Sequence, residues 1–268
     1  MNELALFAGA GGGLLGTQHL LGWQTICYVE WNKYAVEVLK ARIRDGYLDD
    51  APIWDDCFTF DGRPWAGLVD VVTAGFPCQP FSSAGKGLAE HDPRNGWPAV
   101  IRILREVQPR FAFLENVPGL LSKPYYRRIL GDLAEAGFNI EQDCISAQEI
   151  GAPHIRQRLW IVSHSNRQSF VMDEKSRQEK LDVEWDGTTQ QMADIWNSKH
   201  QGNRWVETST HSGKEKRNVH NSQWWEVEPK LGRVADGVAY RMDRLEAIGN
   251  GQVPAVVAEA WKRLSGEQ

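Results

Sequence analysis

In the stretch Gly75-Phe76-Pro77-Cys78-Gln79-Pro80-Phe81-Ser82, one cysteine stands between two prolines, directly after an apolar, β-branched run at 68–74. Such a run reads as a buried strand. Each proline ring fixes its own φ and restricts the residue before it. The thiol of Cys78 is therefore held on a stiff turn at the mouth of a strand, a placement that suits a nucleophile better than a packed side chain. Alone, a cysteine in a loop is more often small and buried. A second constellation lies at the start of the chain. Leu4-Ala5-Leu6-Phe7 reads as a strand running into Ala8-Gly9-Ala10-Gly11-Gly12-Gly13-Leu14-Leu15-Gly16, where Gly11, Gly13 and Gly16 fit G-x-G-x-x-G. Glycines there let backbone amides approach a ligand and let the next helix pack closely on the strand. The following strand, Thr25-Ile26-Cys27-Tyr28-Val29, ends at Glu30, an acid placed to accept hydrogen bonds from ribose hydroxyls. This pattern suits an adenosine-bearing cofactor, NAD as well as S-adenosylmethionine.

The elements that must position these groups alternate. Residues 32–44 suit a helix with Val36, Leu39 and Ile43 on one face, and 53–57 a strand end with Asp56 in reach of a cofactor edge. The strand that delivers Cys78 is followed by a polar loop, 82–95, and an amphipathic helix, 97–107. A fifth strand, 110–114, ends in Glu115-Asn116-Val117-Pro118-Gly119; a helix at 125–136 and a strand-like stretch from 138 follow. Arg156-Gln157-Arg158-Leu159-Trp160-Ile161-Val162 then puts two arginines before another buried strand. Strands alternating with helices in this way predict a doubly wound, Rossmann-like parallel α/β sheet. At 164 the texture changes. Residues 164–223 are polar, with scattered Trp185, Trp196 and Trp205 and basic Lys199, Arg204, Lys214, Lys216 and Arg217. They read either as a solvated insertion or as a small module whose basic side chains reach phosphates and base edges. Order returns at Trp224-Trp225, and Gly249-Asn250-Gly251-Gln252-Val253-Pro254 leads into a last helix at 255–264.

The composition sets bounds. In 268 residues, 42% hydrophobic and 24% charged content provide for a real core. The net charge of −5 argues mildly against nucleic acid as a partner, although binding depends on a local basic face rather than the average. No apolar run approaches the roughly 20 residues needed to cross a bilayer, and Met1-Asn2-Glu3-Leu4 lacks the basic start of a signal peptide. Cys27, Cys57, Cys78 and Cys144 are widely spaced, as for reduced thiols in a cytoplasm. His154, His164, His200, His211 and His220 do not fall at metal-ligand spacings, so no metal is expected.

Taken in order, Phe7 to Gly12, Glu30-Trp31, Gly75 to Ser82, Glu115-Asn116-Val117, and Arg156 to Val162 with Gly249 to Pro254 resemble the motif series of the DNA cytosine-5 methyltransferases. The resemblance covers nearly all of 4–163 and 230–264. It implies an S-adenosylmethionine-dependent methyltransferase sheet at 1–163 and 224–268, with an inserted target-recognition region at 164–223. Cys78 would be the thiolate that adds to carbon 6 of cytosine, Glu115 would protonate the ring nitrogen at position 3, Arg158 would hold the base carbonyl and Arg156 would brace the site. Phe7, Ala8, Gly9, Gly11, Glu30, Trp31, Asp56, Phe76 and Asn250 are carried over as contacts to S-adenosyl-L-methionine. The implied partner is double-stranded DNA, met by a monomeric, cytoplasmic enzyme with room for a separate cognate restriction endonuclease. The 82–95 loop would close over a base rotated out of the duplex. The chain departs from the pattern at Ala5, where an acid is usual, at His154, where a glutamine is usual, and in an abbreviated join at 228–233. That compactness looks like the phage-borne branch.

Three other readings compete. A tRNA cytosine-5 methyltransferase on the same fold would carry threonine after the nucleophile-loop phenylalanine, where Ser82 stands, and Cys-Phe-Thr in its recognition region. Here Cys57-Phe58-Thr59 comes well before the nucleophile. A catalytically silent DNA-binding regulator would lack Cys78 or Glu115, and an NAD-dependent dehydrogenase accounts only for the glycine loop.

Overall fold

The computed structural model describes residues 1–77, 95–166 and 241–266. Among these, seven strands form one sheet: β1 (Asn2–Leu6), β2 (Gln24–Val29), β3 (Ile53–Trp54), β4 (Val71–Ala74), β5 (Phe111–Asn116), β6 (Phe138–Ser146) and β7 (Gln157–Ser165), in the order β3-β2-β1-β4-β5-β7-β6. The short apolar runs become strands because both faces of the sheet are covered, which favours continuous rather than alternating hydrophobicity. From β3 across to β5 every pairing is parallel. β7 runs antiparallel to both β5 and β6, so the sheet is mixed where a parallel one was expected. The reason is chain length: a parallel return needs a crossover of about a dozen residues or more, and 147–156 is too short to carry one. β7 also extends through Ser165, past the change of texture at 164.

Helices flank both faces. α1 (Gly12–Leu14) passes directly into a π-helical turn, Leu15–Leu20, and α2 (Lys33–Arg44) follows β2. The Asn32 side chain caps α2 by accepting from the Ala35 amide at 3.1 Å, and Arg42 and Arg44 sit in its last turn, where cations favour the helix dipole. α3 (Trp97–Val107) and α4 (Pro124–Glu135) cover the face that carries Leu4, Leu6, Val72 and Leu114. The opposite face is covered by α2 and by the C-terminal α6 (Pro254–Leu264), which α5 (Arg241–Asn250) precedes. Trp261 of α6 sits edge-on to Trp23 at 4.7 Å and to Phe111 at 5.0 Å, so aromatic packing pins the end of the chain to the sheet.

One acid breaks the apolar pattern of the core. Glu3 in β1 is fully buried and accepts hydrogen bonds from Thr17, Thr25 and Thr73 at 2.7–2.8 Å. These threonines come from the π-helical turn, β2 and β4, so one carboxyl ties three neighbours of β1 together. Burial raises its pKa above the ordinary carboxylate value against the pull of the three hydroxyls. No helix among the described residues is long and apolar enough to cross a membrane.

Candidate active site

The chain leaves β1 towards β2 and β3, then returns to the other side of β1 at β4. In open α/β sheets the crevice at such a reversal, beyond the carboxyl ends of the strands, is where ligands bind. Here a cavity of about 980 Å³ opens there, walled by the loops after β1, β2, β4 and β5 and by the stretch between α5 and α6.

The glycine loop forms one wall. Gly11 has φ +87° and turns the chain into α1, a conformation an L side chain resists. It does not face the cavity: a Cβ there would meet Leu48 and Leu39 of the core. The other glycines of the fingerprint have a different task from the one expected of them. A Cβ on Gly13 would lie 2.1 Å from Gln252 Oε1, and one on Gly16 would lie 2.7 Å from the Pro254 carbonyl. These positions are bare so that the C-terminal segment can dock. Glu30 likewise serves the loop: its Oε2 accepts from the Gly9 amide and its Oε1 from the Asn32 amide, both at 2.7 Å.

Of the residues carried over as cofactor contacts, Phe7, Ala8, Gly9, Glu30, Trp31, Asp56, Phe76 and Asn250 all line the cavity; Gly11 alone does not. Trp31 is 74% exposed at its rim, and Asp56 Oδ1 accepts from the Phe58 amide at 2.8 Å. The cavity is large enough, and the types suit S-adenosylmethionine: an acid at the β2 end, aromatic surface beside it and backbone amides in the glycine loop.

A second cluster is built on β5 and β7. Glu115 is the last residue but one of β5 and stands directly opposite Trp160 in β7. Arg158 Nε lies 3.0 Å from Glu115 Oε1, and Gln252 Nε2 donates to Glu115 Oε2 at 3.3 Å. Burial raises the carboxyl's pKa above its ordinary range, while the Gln252 amide and the two arginines pull it down. Arg156 takes a separate place: its guanidinium donates to the carbonyls of Gly249 and Gly251, holding the C-terminal segment across the site. Asn116 Nδ2 donates to the Phe76 carbonyl at 3.2 Å and fixes the base of the loop that carries Cys78. Cys78 itself lies outside the described residues, as do the rest of the loop to 94, the recognition region from 167 and the tail up to 240. At the far end of the loop, Asn95 is buried and donates to the Tyr125 hydroxyl at 2.6 Å.

Sequence reading assigned no role to Asn116, Gln252 or Glu3. Asn116 and Gln252 stood inside quoted motifs, but their partners lie far away in the chain. Among the described residues no group of three or more His, Cys, Asp or Glu side chains is placed to hold a metal.

Type II methyltransferase M.BsuFI of Bacillus subtilis is 37% identical over 162 residues, which cover 59% of this chain and 37% of that protein. Type II methyltransferase M.NgoBI of Neisseria gonorrhoeae is 33% identical over 177 residues, 65% of this chain and 53% of that protein. The chain thus spans about half or less of the length of these relatives. Among solved structures, a DNMT2 of Spodoptera frugiperda superposes with a TM-score of 0.53 at 23% identity, over 64% of this chain and 52% of that one, a likeness of fold. A family model described as C-5 cytosine-specific DNA methylase matches residues 1–263, so both ends of the sheet, the glycine loop and the Glu115 site fall within it. On that match the chain belongs to the C-5 cytosine-specific DNA methylases.

Proposed function

We propose that this protein transfers a methyl group from S-adenosyl-L-methionine to carbon 5 of a cytosine rotated out of a specific double-stranded DNA sequence, through a covalent adduct with Cys78. The observation that carries the reading is the meeting of Glu115, Arg158 and Gln252 at the mouth of the β4 loop, beside the glycine-loop cavity. Pro77, the last described residue before Cys78, is itself part of the cavity wall. The described cysteines support the same nucleophile by default: burial raises the thiols of Cys27, Cys57 and Cys144, that of Cys57 to about 12. A thiol so raised is not a thiolate near neutrality.

Cys78 as thiolate adds to carbon 6 of the cytosine, and the electron pair released moves to the ring nitrogen at position 3. Glu115, whose burial favours the protonated form, delivers a proton there. Arg158 then faces a carboxylate and the base carbonyl together, which balances the charge left on the acid. When bound, S-adenosylmethionine supplies an electrophilic methyl group for carbon 5. As carbon 5 takes the methyl group, the ring nitrogen returns its proton to Glu115. Removal of the carbon-5 proton by a base or water then supplies the electrons that re-form the ring double bond, and the Cys78–carbon 6 bond breaks. Region 164–223 reads the DNA target in this proposal, and the Type II names of the relatives support a cognate restriction endonuclease as a partner.

The test is methyl transfer from tritiated cofactor to duplex DNA, with tRNA compared in parallel. Duplex carrying 5-fluorocytosine should trap the protein covalently through Cys78, because elimination needs a proton at carbon 5, and Cys78→Ser should not be trapped. Label on tRNA alone, or an unchanged protein mass with the fluorinated duplex, would overturn the proposal.

A further inference from the structure

Glu115 is held at both oxygens by donors from distant parts of the chain. Arg158 of β7 takes Oε1 at 3.0 Å; Gln252, from the turn between α5 and α6, donates to Oε2 at 3.3 Å. Space for the Gln252 side chain is reserved on two sides. A Cβ at Gly13 of the glycine loop would strike its Oε1 at 2.1 Å. At Gly75, where the nucleophile loop begins, a Cβ would lie 3.1 Å from Gln252 Nε2 and 3.1 Å from Glu115 Oε2. The backbone of Gln252 is held as well: a Cβ at Gly12 would lie 2.9 Å from its carbonyl, and Arg156 grips the adjacent Gly251 carbonyl. The amide is therefore seated where the cofactor loop, the nucleophile loop and the acid converge.

We propose that Gln252 is a positioning residue for methyl transfer: its side-chain amide fixes the orientation of the Glu115 carboxyl, so that docking of the C-terminal segment completes the acid. The proposal rests on Glu115 being the group that protonates the base. With Arg158 alone, the carboxyl is anchored at one oxygen and free to turn; with Gln252 both oxygens are fixed. The amide has a second effect, because a donor to the carboxylate favours the charged form and opposes the burial that raises the group's pKa. After the proton has gone to the ring nitrogen, the same bond stabilises the anion left behind.

Two variants of similar length remove the donor. Gln252→Met is neutral, and Gln252→Glu keeps the shape while placing a like charge beside Glu115. Single-turnover methyl transfer is measured across pH, with cofactor affinity as the check on packing. The protonated acid is the active form, so the rate declines as pH rises through the Glu115 pKa, and removal of the donor moves that alkaline limb upward. For Gln252→Glu the displacement should be about one pH unit or more, with a smaller shift in the same direction for Gln252→Met. The rate at the optimum should fall by about tenfold to a hundredfold, as expected when a reacting group is misplaced, with cofactor affinity within about threefold of wild type. A rate loss without movement of the limb in either variant would make Gln252 a packing residue only, and unchanged rates would remove the proposal entirely. Where Gln252→Glu does not fold, Gln252→Met decides the matter. Trapping of the wild type by 5-fluorocytosine duplex is run alongside. If the wild type forms no adduct, the reading of the reaction has failed and this proposal with it; if it does, failure in the variants belongs to Gln252 alone.

Discussion

Arg158 and Glu115 are joined across two antiparallel strands, with Arg158 Nε 3.0 Å from Glu115 Oε1 and only 23% and 12% of the two side chains exposed. The sheet makes the pair inevitable once the register is set. Trp160 stands directly opposite Glu115, and Arg158, two residues earlier in β7, shares its face by the period of two. The antiparallel direction of β7 therefore matters to the chemistry: it brings the start of that strand, with its arginine, to the carboxyl end of β5.

Arg158→Ala should remove the principal charged partner of a largely buried carboxyl. Breaking one side of such a pair costs about 3–5 kcal/mol when burial is complete, and somewhat less here because both groups keep some solvent. Urea unfolding should show a loss of about 2–3 kcal/mol. Arg158→Lys restores the charge but not the planar fork, so it should recover stability more fully than methyl transfer. A lysine variant that transfers methyl groups at the wild-type rate would show that the guanidinium geometry is immaterial.

Glu115→Gln keeps the size of the side chain and cannot deliver a proton. Turnover should fall by roughly 10²–10⁴-fold, the usual loss when a general acid is removed, while DNA affinity changes little. Filter binding beside a tritium-transfer assay separates the two effects. Wild-type turnover in this variant would reduce Glu115 to a structural partner of Arg158.

Much of this site was legible in the sequence because its chemistry sits at strand ends, where short apolar runs stop at a polar residue. Glu30 after β2 and Glu115 in β5 declared themselves that way, and the apolar run at 68–74 pointed to the loop that begins at Gly75. What could not be read is what depends on distant neighbours. Gln252 is 137 positions from Glu115, and no local pattern connects them. The donors that satisfy the buried carboxyl of Glu3 are three threonines in other elements, again beyond any local pattern. The fingerprint glycines were recognised, yet Gly13 and Gly16 answer to the C-terminal segment, whose docking is a tertiary event. The mixed sheet had a local signal in the short 147–156 connection, which is too brief for a parallel return.

Gly16→Ala should disturb the fold more than Gly13→Ala. At Gly13 the obstacle is the end of a flexible side chain, Gln252 Oε1 at 2.1 Å, which can swing aside. At Gly16 the obstacles are the Pro254 carbonyl at 2.7 Å and Val257 Cβ at 2.8 Å, so α6 itself must move. Overpacking of that kind typically costs 1–3 kcal/mol. Thermal melts should thus rank Gly16→Ala below Gly13→Ala, while Gly13→Ala should slow methyl transfer by displacing Gln252 from Glu115. The reverse order of stabilities would contradict the docking described for α6.

The buried acid of β1 gives a stability prediction with a definite sign. Burial raises the Glu3 pKa in the folded protein, whereas in the unfolded chain a glutamate titrates near ~4.3. Between those two values the folded state binds more protons than the unfolded one, so stability declines as pH rises through the window. The favourable contribution is complete below the unfolded value and is lost by the time pH passes the raised folded value. Glu3→Gln has no proton to lose, and its carbonyl can still accept from the threonines. Urea unfolding of the two proteins across pH should therefore converge on the acid side, with the wild type falling relative to the glutamine variant by at most about 1.4 kcal/mol per pH unit within the window. Glu3→Ala should instead be destabilised at every pH, because three hydroxyls lose their acceptor at about 1–3 kcal/mol for each one left unsatisfied. Parallel curves for wild type and Glu3→Gln would mean that the three hydroxyls cancel the effect of burial at this carboxyl.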